Sequence, residues 1–259
     1  MTGIFDSHAH YDDAQFAADR DSLLQRLPEE GVCGVINAGS CLASSEESLR
    51  LAARFPYIYA AVGCHPEAAQ RLPGDYLDTL ARLASSKKAV AIGEIGLDYY
   101  YEDACPREKQ KQVFEAQLAL ARELGLPVVV HDRDAHLDTI TLLRKYRPRG
   151  VIHCFSGSAE MAAEAVKLGL FIGLGGAVTF KNARHAPLVA KSVPMERILL
   201  ETDAPYLAPV PFRGKRCDSR LIAHTAEKIA ELRHMEPQAV IDAARVNTLE
   251  LFQIEENAE

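Results

Sequence analysis

At 259 residues, with 48% hydrophobic and 25% charged side chains and a formal net charge of −7, the chain is sized and composed like one large globular domain spanning 1–259. That balance excludes a bulk basic field for nucleic acid, so any phosphate binding has to come from a local cluster of cations. No apolar run is long enough to span a bilayer and no charged-then-apolar leader opens the chain, while six scattered cysteines (Cys33, Cys41, Cys64, Cys105, Cys154, Cys217) without a Cys-x-x-Cys pair point to free thiols in a reducing cytoplasm.

Short apolar runs alternate with longer amphipathic stretches. Gly3-Ile4-Phe5 reads as a strand leading into His8 and His10, and 16–30 as a helix. A second strand covers 32–37, followed by a helix over 44–55 with Ser44 or Ser45 as its cap. The third strand, 58–63, ends at Cys64-His65-Pro66; a helix over 75–84 follows. The fourth, 89–93, ends at Glu94, and the long helix 107–124 is stopped by Gly125 and Pro127. The fifth, 128–130, ends at His131 and leads to a helix over 134–146 with Asp134 at its start. The sixth, 151–152, ends at His153, with a helix over 159–168. The seventh strand is 170–174 and a short helix covers 183–191. The eighth, 197–201, ends at Thr202-Asp203; an irregular loop over 204–218 and helices over 219–233 and 237–252 finish the chain.

Eight such units are the pattern of a parallel α/β fold, and near-continuous apolar strands suit strands covered on both faces. Eight repeats in about 250 residues fit a closed (β/α)8 barrel. An open doubly wound sheet is the other arrangement, but no Gly-x-Gly-x-x-Gly follows the first strand.

The strand ends carry the chemistry. In a barrel, His8, His10, His65, Glu94, His131, His153 and Asp203 all reach the same mouth, where active sites of this fold sit. His8 and His10, spaced i, i+2, aim two imidazoles at one point. Four histidines and two carboxylates exceed one tetrahedral site, so two divalent ions are expected. His8, His10, Glu94 and Asp203 would hold one; Glu94, His131 and His153 would hold the other, with Glu94 as the bridge. Such a pair makes a hydroxide nucleophile from water near neutral pH, with Asp203 placed to accept its proton. Arg133 points the same way as His131; Arg213, Lys215 and Arg216 cluster after strand eight, and Lys181, Asn182 and Arg184 follow strand seven. These cations suit an anionic substrate, phosphate above all, or else line a solvated loop. His65 lies outside the metal set and is placed to donate to a phosphoryl oxygen or leaving group. Tyr99, Tyr100 and Tyr101 either stack on bases or pack their loop.

Asp6-Ser7-His8-Ala9-His10, Gly63-Cys64-His65-Pro66, Gly93-Glu94-Ile95-Gly96-Leu97-Asp98-Tyr99-Tyr100, His131-Asp132-Arg133-Asp134-Ala135, His153-Cys154-Phe155-Ser156-Gly157 and Glu201-Thr202-Asp203-Ala204-Pro205-Tyr206-Leu207-Ala208-Pro209 together resemble the TatD family of metal-dependent hydrolases, a branch of the amidohydrolase-type barrels. The resemblance implies a deoxyribonuclease, acting 3′→5′ on single-stranded DNA with magnesium or manganese. It gives His8, His10, Glu94, His131, His153 and Asp203 the ligand roles argued above and puts His65 near the substrate phosphate. Zinc or another transition metal suits the histidines better than magnesium does. Phe212 stands where the family often has His, and Cys217-Asp218-Ser219 replaces its polar-Pro tail, so the seating of DNA on this loop is the departure. Cleavage of a small ester, lactone or amide is the alternative reaction; Glu94, where many such enzymes bridge with a lysine, speaks against it. A non-catalytic metal-binding barrel would have lost ligands, and all six are present. A cytoplasmic monomer with DNA as its partner is expected.

Overall fold

A computed structural model describes residues 1–100 and 105–255; Tyr101 lies outside them. Among the described residues, eight parallel strands lie side by side in chain order: β1 (Ile4–Ala9), β2 (Val32–Ala38), β3 (Ile58–Val62), β4 (Ala89–Asp98), β5 (Val128–Arg133), β6 (Gly150–Ile152), β7 (Phe171–Leu174) and β8 (Ile198–Leu200). The seam between β8 and β1 is drawn together at the mouth. There the His10 amide donates to the Ala204 carbonyl at 2.7 Å and the Asp203 amide to the His8 carbonyl at 3.0 Å. The result is the (β/α)8 barrel expected from the repeat.

The connecting helices are α1 (Arg20–Arg26), α2 (Leu42–Arg54), α3 (Tyr76–Ala84), α4 (Arg107–Leu124), α5 (His136–Tyr146), α6 (Ala159–Lys167), α7 (Ala186–Ser192), α8 (Ile222–Arg233) and α9 (Pro237–Phe252). Their ends follow local chemistry. Gly125, at φ 69°, takes the left-handed turn that closes α4, and the Ser158 side chain accepts from the Met161 amide to cap α6.

Several boundaries differ from the sequence reading. The expected helix over 16–30 is broken: only Arg20–Arg26 is α-helical, and Pro28, which has no amide to donate and crowds the preceding turn, opens a separate short turn. Ser44 sits in the third position of α2 and not at its cap; its hydroxyl accepts from the Ser40 and Cys41 amides. Asp134 does not cap α5. Asp132 serves that turn instead, meeting His136 at 2.7 Å and accepting from the Thr139 hydroxyl at 3.1 Å. β4 runs on to Asp98, so Glu94 lies within the strand and not at its end.

The core divides into two main layers. Phe5, Ile36, Ala61, Ala91, Val129, Val151, Phe171 and Leu199, one from each strand, form a buried cluster in the barrel interior, and Leu251 and Phe252 at the end of α9 close it from below. A larger cluster packs the outer strand faces against the helices. None of the six cysteines is in a disulfide. No helix among the described residues is long and apolar enough to cross a membrane.

Candidate active site

The pleat carries three site residues directly. Val129, Val151 and Leu199 belong to the interior cluster; two residues further along each chain stand His131, His153 and Glu201, on the same inward side. β1 and β4 need a change of phase. Their registers are irregular between Asp6 and Ala9 and between Ile92 and Ile95. The slip in β1 lets Phe5 face the interior below while His8 and His10 face it above. Behind them Asp6 is fully buried and accepts from the His8 and Thr202 amides and from the Thr202 and Ser219 hydroxyls. Burial pushes its carboxyl up to about 7, against those hydrogen bonds. It ties β1 to the segment that carries Asp203, whose own backbone is left-handed at φ 59°, a conformation Asp tolerates better than most residues.

All six expected ligands converge. His8 Nε2 and His10 Nε2 lie 3.0 Å apart; Glu94 Oε2 is 3.5 and 3.4 Å from them, and Asp203 Oδ1 3.7 and 3.5 Å. Ligands about 2.1 Å from one ion at tetrahedral angles stand roughly 3.4 Å apart, so these spacings are those of a coordination shell. Two facing imidazole nitrogens can share only one proton, whereas a cation satisfies both. The other oxygen, Glu94 Oε1, lies 2.8 Å from His131 Nδ1 and 2.8 Å from His153 Nε2. Each Glu94 oxygen therefore faces its own imidazole pair, and the donor set fits two divalent ions with Glu94 between them.

The electrostatics agree. Burial alone would raise Glu94, but His153, His65 and His8, with the contact to His131, hold its carboxyl well below the usual range. Burial lowers His8, and the neighbouring His153 charge lowers it further. Burial also works against the charged form of His10, yet Asp203 and Glu94 outweigh it and hold that imidazole up at about 9. His131 and His153 are raised too, because carboxylates overcome the desolvation of their rings.

His65 is lowered to about 3, by burial first and then by His131. Its Nδ1 accepts from the Glu67 amide at 3.2 Å, so in the neutral ring the proton sits on Nε2, which points to Glu94 Oε1 at 3.7 Å. That makes His65 a donor into the cleft. His65, Asp98 and His131 also bring one ligand atom each within 4.8 Å of one another. The 3.0 Å contact from His131 Nε2 to Asp98 Oδ2, however, has hydrogen-bond length, and a proton on Nε2 of His131 leaves Nδ1 free for a cation.

These groups open into a cleft of about 690 Å3 lined also by Arg133, Cys154, Tyr206 and Leu207, and by the carboxylates Asp12, Asp13 and Glu67. Arg133 stacks on the exposed Tyr100 ring at 3.7 Å, while Tyr99 packs its loop, donating to Asp138 at 2.8 Å. Arg213 and Lys215 do not line the cleft. Arg213 lies over Phe180 at 4.3 Å and Lys215 over Phe212 at 5.9 Å. Arg216 is committed to Asp19, at 2.7 and 2.6 Å. Sequence reasoning missed Asp98, Asp12 and Glu201 as site residues. The signal for Asp98 was its spacing of four from Glu94, which puts both on one face of a strand once β4 is read at full length.

Residues 5–253 match the family model described as TatD related DNase. An uncharacterized metal-dependent hydrolase of Bacillus subtilis, YabD, is 39% identical over 97% of this chain and 99% of its own. The 3′-5′ ssDNA/RNA exonuclease TatD of Erwinia tasmaniensis is 35% identical over 97% and 100%. The crystal structure of YjjV, a TatD homolog from Escherichia coli K12, superimposes with a TM-score of 0.92 at 32% identity, covering 98% of this chain and 99% of that one. The chain belongs to the TatD family and is a metal-dependent hydrolase.

Proposed function

We propose that this hydrolase cleaves phosphodiesters as a deoxyribonuclease, removing nucleotides 3′→5′ from single-stranded DNA, with residues 1–259 acting as one catalytic domain. The observation that carries the reading is the division of Glu94, with Oε2 toward His8 and His10 and Oε1 toward His131 and His153. His8, His10, Glu94 and Asp203 would hold one divalent ion and Glu94, His131 and His153 the other; magnesium or manganese would serve catalysis, and the nitrogen-rich donors would also suit zinc or another transition metal. Bound ions neutralise phosphate charge and acidify water.

The chain's own groups do the rest. Asp203 accepts the proton of the attacking water, and burial outweighed by His10 and its neighbours keeps that carboxyl ionised. His65 Nε2–H donates to a phosphoryl oxygen or to the leaving oxygen, and Arg133 supplies a planar cation for phosphate. Arg213 and Lys215 remain candidates for contacts further along the strand. The exonuclease name of the Erwinia relative supports the substrate class. Among the described residues, the large exposed apolar side chains on helices, Leu124, Leu137, Leu188 and Val246, sit on four different elements, which supports a monomer. Cysteines kept out of disulfides support a reducing cytoplasm.

The test is a 5′-labelled single-stranded DNA incubated with wild type and Asp203→Asn, in magnesium, manganese or zinc, with EDTA as control. A metal-dependent descending ladder that is lost in the variant is expected. Two ions bound per chain with no shortening of DNA under any metal would overturn the nuclease reading and favour small esters, lactones or amides.

A further inference from the structure

One buried charge behind the site is not used by the chemistry above. Glu201 is 1% exposed. Its Oε1 accepts from the Cys154 amide at 2.5 Å, and its Oε2 has no hydrogen-bond partner. An ionised carboxylate buried with an unpaired oxygen is costly unless a positive group compensates it. The side chain that faces it is His153, whose Nδ1 lies 3.7 Å from Oε1 and is itself buried without a partner. The opposite ring nitrogen, Nε2, faces Glu94 at 2.8 Å. Gly173 makes the arrangement possible: a Cβ there would sit 2.5 Å from Glu201 Oε2 and 2.9 Å from the His153 Cα, so the next strand leaves the layer without a side chain.

We propose that Glu201 is a positioning residue that accepts a hydrogen bond from His153 Nδ1–H when an ion occupies Nε2 beside Glu94. A proton on Nδ1 has this one carboxylate to go to, and a positive charge drawn onto the imidazole from a bound cation compensates the buried carboxylate. A histidine so held is a better ligand because its ring orientation is fixed and its ligating nitrogen is made more basic. The same device serves His131 through Asp98, but there the hydrogen bond is already closed. The proposal rests on His153 being a ligand.

The test titrates manganese into chelator-stripped protein by calorimetry, for wild type, Glu201→Gln, His153→Ala and the double variant. Gln keeps the size and the acceptor for the Cys154 amide but removes the charge. Glu201→Gln is expected to unfold at the wild-type temperature or higher, and to bind manganese about 10- to 100-fold more weakly at one site. Adding it to His153→Ala should cost nothing more. Histidine 15N spectra of the zinc-loaded wild type give a readout that needs no variant: the His153 ring should meet zinc through Nε2 and carry its proton on Nδ1. Wild-type manganese affinity in Glu201→Gln, an undiminished loss in the His153→Ala background, or a zinc-loaded His153 ring without a proton on Nδ1 would overturn the proposal. Unchanged binding in His153→Ala alone would instead overturn the ligand reading.

Discussion

The two ends of this barrel are built on the same strands and do opposite things. At the bottom, Val129, Val151 and Leu199 join five other strand residues in an apolar cluster closed by Leu251 and Phe252. Two residues further along those strands, about 7 Å by strand rise, stand His131, His153 and Glu201. In these three segments the inward alternation carries on and the side chains change, from groups that gain by leaving water to groups that lose unless they meet a charge. Stability and ion binding are therefore assigned to separate layers of one sheet, and substitutions should separate them.

The largest separation is expected at Glu94. Glu94→Gln removes the charge shared by both imidazole pairs, so activity should fall to background and manganese binding should drop at both sites, while the metal-free protein keeps its helical circular dichroism. Retention of one full-affinity site would show that Glu94 does not bridge. Asp203→Asn comes next: a lost general base lowers turnover by about 10²- to 10⁴-fold, and at least one site should still bind its ion. The converse is Phe171→Ala at the bottom, which should cost about 3–5 kcal/mol in chemical denaturation through the cavity it leaves and change manganese affinity less than twofold. If affinity fell with stability, the layers would not be independent. Asp98→Asn, which loosens His131, should weaken binding by about 10-fold with little change in unfolding temperature.

The smallest effect is on pH. His10 is held up at about 9 from an ordinary value near 6.5. The folded chain then binds its proton more tightly than the unfolded chain. The resulting stabilisation is complete below pH 6.5 and is lost as pH rises through 9. Asp6, raised to about 7 by burial, adds a loss of the same sign. The unfolding temperature of chelator-treated protein should fall between pH 6.5 and 9. In excess manganese the slope should flatten, since an ion replaces the His10 proton. Equal slopes with and without metal would remove His10 from the ligand set.

Most of this was legible in the sequence because strand ends and apolar runs are local. All eight strands, and the six converging side chains expected as ligands, are read from apolar runs and the polar residues that follow them. The remainder depends on contacts between distant elements. The register slips that turn His8, His10 and Glu94 inward are pairing features of neighbouring strands, invisible in one strand's pattern. Asp98 was hidden because Gly96 and the charged residues made β4 look five residues long. Glu201 read as the last letter of a strand; its partner His153 is 48 positions earlier by number, and the room for it is made by Gly173 on a third element. Arg213 and Lys215 lie on a loop whose path composition does not set; there aromatic rings engage both.

The seam at Asp6 bears on how the enzyme matures. Asp6 and Thr202 are 196 residues apart in sequence, and their hydrogen bonds join the first strand to the segment after the last. His8 and His10 meet Asp203 only across that junction. A chain still emerging from the ribosome has no means of assembling this ion set, however well its central strands have folded. The set of His8, His10 and Asp203 is thus withheld from partial products of synthesis, and its closure marks the moment the barrel is complete.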